Sequence, residues 1–67
     1  MLMRLSIPTE DLDKKLVDHI IESLEKNIPN LAVRNRDDYQ VIALIGNMNE
    51  IKQAIDIILP MLPSEKT

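Results

Sequence analysis

The stretch YQVIALIGNMNEIKQAIDIIL, residues 39–59, decides the fold, because its apolar periodicity changes at Gly46. Residues 39–45 are rich in strand formers, and apolar side chains occupy both of their alternating sets, which is typical of a central strand covered on both sides. After Gly46, Asn47 is followed three residues later by Glu50, which predicts a capping box that opens a helix. The sequence therefore predicts a central strand joined directly to a helix.

The apolar stripe of this second helix is wider than one sheet needs. Its core-facing residues are predicted to be Ile51, Ala54, Ile55 and Ile58. Ile57 and Met61, together with Leu59, widen the stripe and are expected to remain as surplus apolar surface. Because Pro60 has no backbone N–H, we expect the regular helix to end or kink near Leu59.

A first strand and a first helix are predicted upstream. Apolar and polar side chains alternate over residues 2–7, the period expected of a strand. Thr9 is predicted to be the N-cap of the helix that follows. Pro29 disfavours helix at the residue before it, so the helix should end near Asn27. Its predicted apolar stripe consists of Leu12, Leu16, Val17, Ile20, Ile21 and Leu24.

Residues 31–33 start another extended segment, and residues 35–38 have turn composition, so they form a hairpin with the strand that begins at Tyr39. The order strand, helix, strand, strand, helix is that of the split βαβ unit of ferredoxin-like folds without its fourth strand. We therefore predict a single small α+β domain over residues 1–62. It has a three-stranded antiparallel sheet of order 1-3-2 with two helices on one face. Residues 63–67 are predicted to be a flexible polar tail.

The missing fourth strand is expected to leave one edge of the first strand free to pair with another chain. Ile42 and Leu44 are predicted to lie on the sheet face that points away from the helices, where they also need cover. The predicted partner interface comprises Leu2, Met3, Arg4, Leu5, Ile42 and Leu44 on the strands, and Lys52, Asp56, Ile57 and Met61 on the second helix. The central functional expectation is a homodimer, or a heterodimer with a related small subunit.

The composition excludes several classes of function. The chain has 67 residues, no cysteine, one histidine and a net charge of −3. Zinc fingers, disulfide frameworks and Cys-based or Ser–His nucleophile systems therefore lack their residues. We predict no catalytic residue, no cofactor and no metal ion. A chain this short buries only about 60% of the surface that its unfolded form exposes, so its marginal core also favours a partner.

No apolar run reaches the roughly 20 residues that a bilayer span requires. The first residues also lack the long apolar segment of a signal peptide. We therefore expect a cytoplasmic protein that does not contact a membrane.

Three small groups of polar residues are candidates for a functional site. His19 lies next to Asp18 and within one turn of Ser23, but these residues make no convincing catalytic set, so we interpret His19 as a residue at the flank of the first helix. One hairpin cannot supply the six oxygen ligands of a hard cation, so Asp37–Asp38 is interpreted as a turn. Arg34 and Arg36, with Arg4 across the sheet, form a basic spot. With one aromatic residue in the chain there is no stacking platform for RNA, and the rim of an interface is the favoured interpretation.

At the third strand and second helix the sequence resembles the small dimerisation subunit family of the KEOPS complex, which makes threonylcarbamoyladenosine on tRNA. The signature of that family at its last helix is an Asp, a Leu-Arg pair four residues on, then an Asn and a Leu. Here Asn47 stands at the Asp position, Ile51 and Lys52 at the Leu-Arg pair, and Asp56 at the Asn position. Residues 6–11 are similar to the family's strand-to-helix junction. The match covers nearly the whole chain by pattern, with a related residue at each signature position.

The resemblance implies a non-enzymatic scaffold. Strands of two protomers join into a larger sheet, while the helices dock against the helices of a larger catalytic subunit. Because the Arg and Asn of the docking helix are replaced, the chain looks similar to a paralogue that pairs with the true subunit and occupies one side of the dimer. Contact with tRNA is then indirect, through the complex.

Two alternatives belong to other classes. The order of elements also resembles the ACT and NIL regulatory modules, which bind small molecules at the interface of paired domains. Those modules need a fourth strand and usually have a Gly-rich turn where this chain has Pro8, Thr9 and Glu10. The other alternative is an RNA-binding accessory protein that uses the basic spot.

Overall fold

The computed structural model describes residues 1–63, in which three strands and two helices follow one another in the predicted order. The elements are β1 (Met3–Pro8), α1 (Lys14–Asn27), β2 (Ala32–Arg36), β3 (Val41–Gly46) and α2 (Met48–Ile58), followed by a 3₁₀ turn at Leu59–Met61. β3 lies between β1 and β2 and pairs antiparallel with both. The predicted α+β fold and sheet order are confirmed. Except for Pro63, the predicted tail lies outside the described residues.

The pairing register assigns each β3 side chain to one sheet face. Leu5 lies opposite Leu44, and Ile7 lies opposite Ile42. Residues directly opposite each other in an antiparallel pair point to the same side, and these four residues belong to the core or pack against it. Ile42 and Leu44 are both 0% exposed. The prediction that they lie on the face away from the helices is therefore wrong.

The other alternating set of β3, Val41, Ala43 and Ile45, lies on the face away from the helices. Since both sets are apolar, the sequence of β3 by itself does not distinguish its two faces. β1 determines which face of the sheet meets the helices, because its larger apolar side chains all lie on one side of the strand and must be buried there.

The core between the sheet and the helices is aliphatic. Its buried members are Val17, Ile20, Leu24, Ile28, Leu31, Ile42, Leu44, Ile51, Ala54 and Ile58. Burying each larger aliphatic side chain contributes about 1.5–3 kcal/mol. Among the described residues no polar side chain is buried, so hydrophobic contact between the helices and the sheet holds the domain together.

Helix α1 begins later than predicted, with Asp13 rather than Thr9 as its N-cap. Thr9 instead extends the sheet pairing, since its N–H donates to the Gln40 carbonyl oxygen at 2.8 Å. The Thr9 carbonyl oxygen accepts from the Leu12 N–H at 3.0 Å, which makes a turn before the helix. Leu12 packs against the core from this turn rather than from the helix. The helix ends at Asn27, as predicted.

The predicted capping box is present at the start of α2. The Glu50 N–H donates to Asn47 Oδ1 at 2.9 Å, and the Asn47 N–H donates to Glu50 Oε1 at 3.0 Å. Gly46, the residue before this box, is approached closely by two side chains. An added Cβ would lie 2.7 Å from Glu50 Oε1 and 2.8 Å from Leu31 Cδ1. A side chain at Gly46 would therefore have to displace the end of the Glu50 side chain, which takes part in the capping box, and the end of the buried Leu31 side chain.

The hairpin turn lies two residues later than predicted. β2 continues to Arg36, and the turn occupies residues 37–40. Gln40 closes the turn in the left-handed region, with φ of 55°. Because the strand is longer than expected, Arg36 lies in the sheet opposite Val41 instead of in a turn, and Arg34 lies opposite Ala43.

Candidate protein interface at the β1 edge

β1 lies at one edge of the sheet, and no other strand within residues 1–63 pairs with its outer side. Hydrogen-bonded and non-bonded positions alternate along an antiparallel pair. Because the Thr9 N–H donates to the Gln40 carbonyl, the odd-numbered residues of β1 direct their backbone groups toward β3. The even-numbered residues Arg4, Ser6 and Pro8 direct theirs outward. These three residues form the outer edge of β1.

The outer edge carries two N–H donors. Arg4 and Ser6 each present an N–H and a carbonyl oxygen, whereas Pro8 presents only a carbonyl oxygen. A proline whose nitrogen points outward from an edge strand removes no hydrogen bond from the sheet. A further strand can therefore form backbone hydrogen bonds with β1 at Arg4 and Ser6. At Pro8 the edge offers no N–H donor.

An apolar groove lies beside this edge, between β1 and the end of α2. It has a volume of about 150 Å³ and is lined by Leu5, Ile7, Ile55, Ile58, Leu59 and Leu62. We call it the β1 groove. Leu59 is 62% exposed and Ile55 is 36% exposed. Alternate side chains of a strand added to β1 would point to the side of the sheet that holds this groove.

Seven large apolar side chains are exposed within residues 1–63. The seven are Met1, Leu2, Met3, Tyr39, Met48, Ile55 and Leu59. All except Tyr39 lie on β1, just before it, or on α2 and the 3₁₀ turn. Of these residues, Ile55 and Leu59 line the β1 groove together.

Part of the predicted interface comes together here. Leu2, Met3 and Arg4 are exposed at the start of β1, and Leu5 lines the β1 groove. The two β3 residues of the prediction lie in the core and take no part. The candidate interface therefore includes the residues predicted at β1 but not those predicted on β3.

The predicted residues of the second helix divide into two pairs. Lys52 and Asp56 are exposed. Ile57 and Met61 are half-buried and pack against the core, so they are not the surplus apolar surface that the sequence predicts. α2 contacts α1 as well as β1 and β3, so more than one side of this helix is covered.

Ile55 and Leu59 are exposed and line the β1 groove, although neither belongs to the predicted interface. The prediction that Ile55 faces the core is wrong, whereas Leu59 is surplus apolar surface, as predicted. They are four residues apart, so they adjoin each other on the helix surface. The buried positions of α2 are Ile51, Ala54 and Ile58, which places Ile55 at the border of the stripe rather than at its centre. The i,i+4 spacing of Ile55 and Leu59 is the feature of the sequence that indicates a shared apolar surface.

A polar cleft of about 410 Å³ lies between the β1–α1 loop, the start of α1 and the hairpin turn. Its lining includes Glu10, Asp18 and Asp37, and Lys14 Nζ lies 4.0 Å from Asp18 Oδ2. Small-molecule sites are mostly apolar with a few polar groups, which this cleft is not. His19 is exposed on α1. Within residues 1–63, no group of three or more His, Cys, Asp or Glu side chains is placed to hold a metal ion.

Comparisons with known proteins do not assign the chain to a family. No family model, no curated protein and no solved structure matches it. None of the helices in the described part of the chain has the length and apolar character that crossing a membrane requires. The geometry of the β1 edge therefore carries the functional interpretation.

Proposed function

We propose that this chain is a non-enzymatic, cytoplasmic interaction subunit that associates with a second small subunit by strand addition at the outer edge of β1. The observation that carries the proposal is the unpaired backbone of Arg4 and Ser6 beside the β1 groove with its exposed Leu59. Strand addition satisfies backbone groups and covers apolar side chains in the same step.

A second copy of the chain is the partner to test first, and a related small subunit is the alternative. Two β1 edges that pair antiparallel about a two-fold axis extend the sheet to six strands, with the same edge contributed by each protomer. A register that sets Arg4 opposite Ser6 of the other copy uses both outward N–H groups. It also keeps the two Arg4 side chains from facing each other directly, which would be destabilising.

Light scattering coupled to size-exclusion chromatography tests this pairing. We expect the wild-type chain at twice the protomer mass of 7.7 kDa. Ser6→Pro removes an outward donor while leaving the hydrogen bonds to β3, so this variant should elute as a folded monomer. Ser6→Thr keeps the N–H and is the matched control, which should remain dimeric. A wild-type chain that stays monomeric at high concentration contradicts self-association.

A second variant covers the case in which Ser6→Pro does not fold. Leu59→Asp places a charge in the β1 groove at an exposed position, so it should abolish association and leave the circular dichroism spectrum unchanged. Gln53→Asp adds the same charge on an exposed position of α2 outside the groove and should remain dimeric. Equal effects of the two substitutions would argue against the groove as the contact.

The proposal extends to a scaffold role in a KEOPS-type tRNA-modifying complex, which rests on the resemblance of residues 47–59. Lys52 and Asp56 occupy signature positions of that family, and both are exposed on α2. They are available to a catalytic subunit while the outer edge of β1 holds a second small subunit. Contact with tRNA is indirect in this arrangement.

Co-expression with the catalytic and small subunits of a KEOPS complex tests the scaffold role. We expect all three chains in one chromatographic peak. The double variant Lys52→Glu/Asp56→Lys should lose the catalytic subunit but keep the small partner, whereas Asp38→Lys in the hairpin turn should keep both. If the homodimer forms and neither subunit co-purifies, the scaffold role is rejected and the strand-edge proposal stands.

A further inference from the structure

The sheet face that points away from the helices, which we call the open face, is a three-by-three array of side chains. The register gives the rows Arg4, Ile45, Ala32; then Ser6, Ala43, Arg34; then Pro8, Val41, Arg36. The middle column, from β3, is entirely apolar. Arg34 and Arg36 stand on one side of this column, and Arg4 stands on the other side.

The arginines and lysines of the chain are separated in space. All three arginines lie on the open face. Four of the five lysines lie on the helices, and Lys66 lies outside the described residues. None of the three strands carries a carboxylate. The open face is therefore cationic on a chain whose net charge is −3.

No carboxylate within residues 1–63 pairs with the guanidinium groups of this face. Within residues 1–63 the one ion pair joins Lys14 to Asp18 on α1. Arg4 and Arg34 are exposed, and Arg36 lies over the exposed Tyr39 ring. The apolar column is also accessible in part, since its end residues on β3 are half-buried rather than buried. The open face thus offers unpaired charge around an apolar strip.

We infer that the open face binds an amphipathic α-helix of another protein, whose apolar stripe is flanked by carboxylates. The outer strands lie about 10 Å apart and the array is about 13 Å long, dimensions that fit one helix of about 10 Å diameter. The stripe of that helix meets the β3 column. Its carboxylates reach Arg34 and Arg36 on one side and Arg4 on the other, in the bidentate geometry that guanidinium groups favour.

The composition of the face points to a protein partner rather than to RNA. Protein interfaces are enriched in Arg and depleted in Lys, Glu and Asp, and this face carries three arginines and none of the other three residue types. Single-stranded RNA is held by a basic groove together with aromatic side chains on which bases stack. Here the one aromatic residue, Tyr39, lies in the hairpin turn. The three arginines of the open face belong to a chain whose net charge is negative, which does not favour RNA.

The open face is separate from the β1 groove. The groove lies on the helix side of the sheet, whereas the open face lies on the opposite side. The two surfaces therefore can be occupied together, and substitutions on β2 test the open face without touching the outer edge of β1.

Fluorescence anisotropy with three labelled peptides and one RNA tests the inference. The acidic probe is an 18-residue helical peptide with a leucine stripe flanked by glutamates. In the second peptide lysines replace the glutamates, and in the third peptide serines replace the leucines. The fourth probe is a 20-nucleotide polyuridylate. We expect the full chain to bind the acidic peptide at least tenfold more tightly than each of the other three.

Two charge-matched variants locate the contact. Arg34→Glu/Arg36→Glu should weaken binding of the acidic peptide at least tenfold. Lys15→Glu/Lys26→Glu makes the same charge change on α1 and should leave the affinity within twofold. The inference is overturned if both variants lose binding equally, if neither does, or if polyuridylate binds more tightly than the acidic peptide. Circular dichroism of each variant establishes that it is folded before its affinity is compared.

Discussion

The Arg36 guanidinium carbon lies 4.9 Å from the centre of the Tyr39 ring. A cation–π contact at an exposed site contributes about 0.5–1 kcal/mol. We expect a double-mutant cycle of Arg36→Met and Tyr39→Ala to give a coupling free energy in this range, measured by urea unfolding followed by circular dichroism. The matched cycle uses Arg4→Met, at the other end of the open face, and should give a coupling below about 0.3 kcal/mol. Equal couplings in the two cycles would indicate a general charge effect.

The two faces of β3 should respond differently to the same loss of one methyl group. Ile42 is fully buried beneath the helices, so Ile42→Val should lower the free energy of unfolding by about 0.5–1.5 kcal/mol. Ile45 is half-buried on the open face, so Ile45→Val should cost less than about 0.5 kcal/mol. Chemical denaturation of both variants measures the difference. A larger loss at Ile45 would reverse the assignment of the faces.

Gly46→Ala should destabilise the domain by about 1–3 kcal/mol, because the new methyl group meets Glu50 Oε1 and Leu31 Cδ1 at less than 3 Å. Removing one of these atoms should relieve part of the clash. We therefore expect Gly46→Ala to cost less in a Glu50→Ala background than in the wild-type chain. Thermal unfolding of the four chains gives both values, and an equal cost in the two backgrounds would contradict the proposed clash.

Asn47→Ala removes the acceptor of the Glu50 N–H, so it should lower the free energy of unfolding by about 1 kcal/mol. Asn49 is exposed within the first turn of α2 and makes no side-chain hydrogen bond among the described residues. Asn49→Ala is therefore the control and should be neutral or slightly stabilising, since alanine has the higher helix propensity. The capping role is refuted if both alanines have the same effect.

Neighbouring residues at the end of α2 should separate folding from association. Ile58 is 4% exposed, and Ile58→Ala should cost about 2–5 kcal/mol. Leu59 is 62% exposed, so Leu59→Ala should change the unfolding free energy of the monomer by less than about 0.5 kcal/mol. Unfolding at protein concentrations below the dissociation constant measures the monomer alone. A large loss at Leu59 under those conditions would place this side chain in the core.

The order of the elements could be predicted because each signal is local. The alternation of β1, the Asn47–Glu50 capping box and the prolines at positions 29 and 60 each act within a few residues, and the structure agrees with them. The start of α1 was mispredicted for a non-local reason. Thr9 is an acceptable N-cap, but its N–H bonds to Gln40, a residue 31 positions away in the chain.

The candidate interface was harder to predict, because β3 is apolar on both sides. Either of its two sets of side chains could face the helices. Which set does so depends on the register of β3 with β1. The positions of Arg4, Arg34 and Arg36 contain the missing information. Arginines avoid burial without a partner, so strands that place all three on one face require the opposite face to meet the helices.

The two edges of the sheet are unlike, and this limits the size of any assembly built on β1. In the proposed dimer the outer edge of β1 pairs with a copy of itself, which leaves no second β1 edge exposed. The other edge belongs to β2, which carries Arg34 and Arg36. Continuous growth into a filament would need β1 of one molecule to join β2 of the next, and the cationic side chains of β2 disfavour such repeated stacking. The order β1-β3-β2 thus favours a closed pair over a fibre.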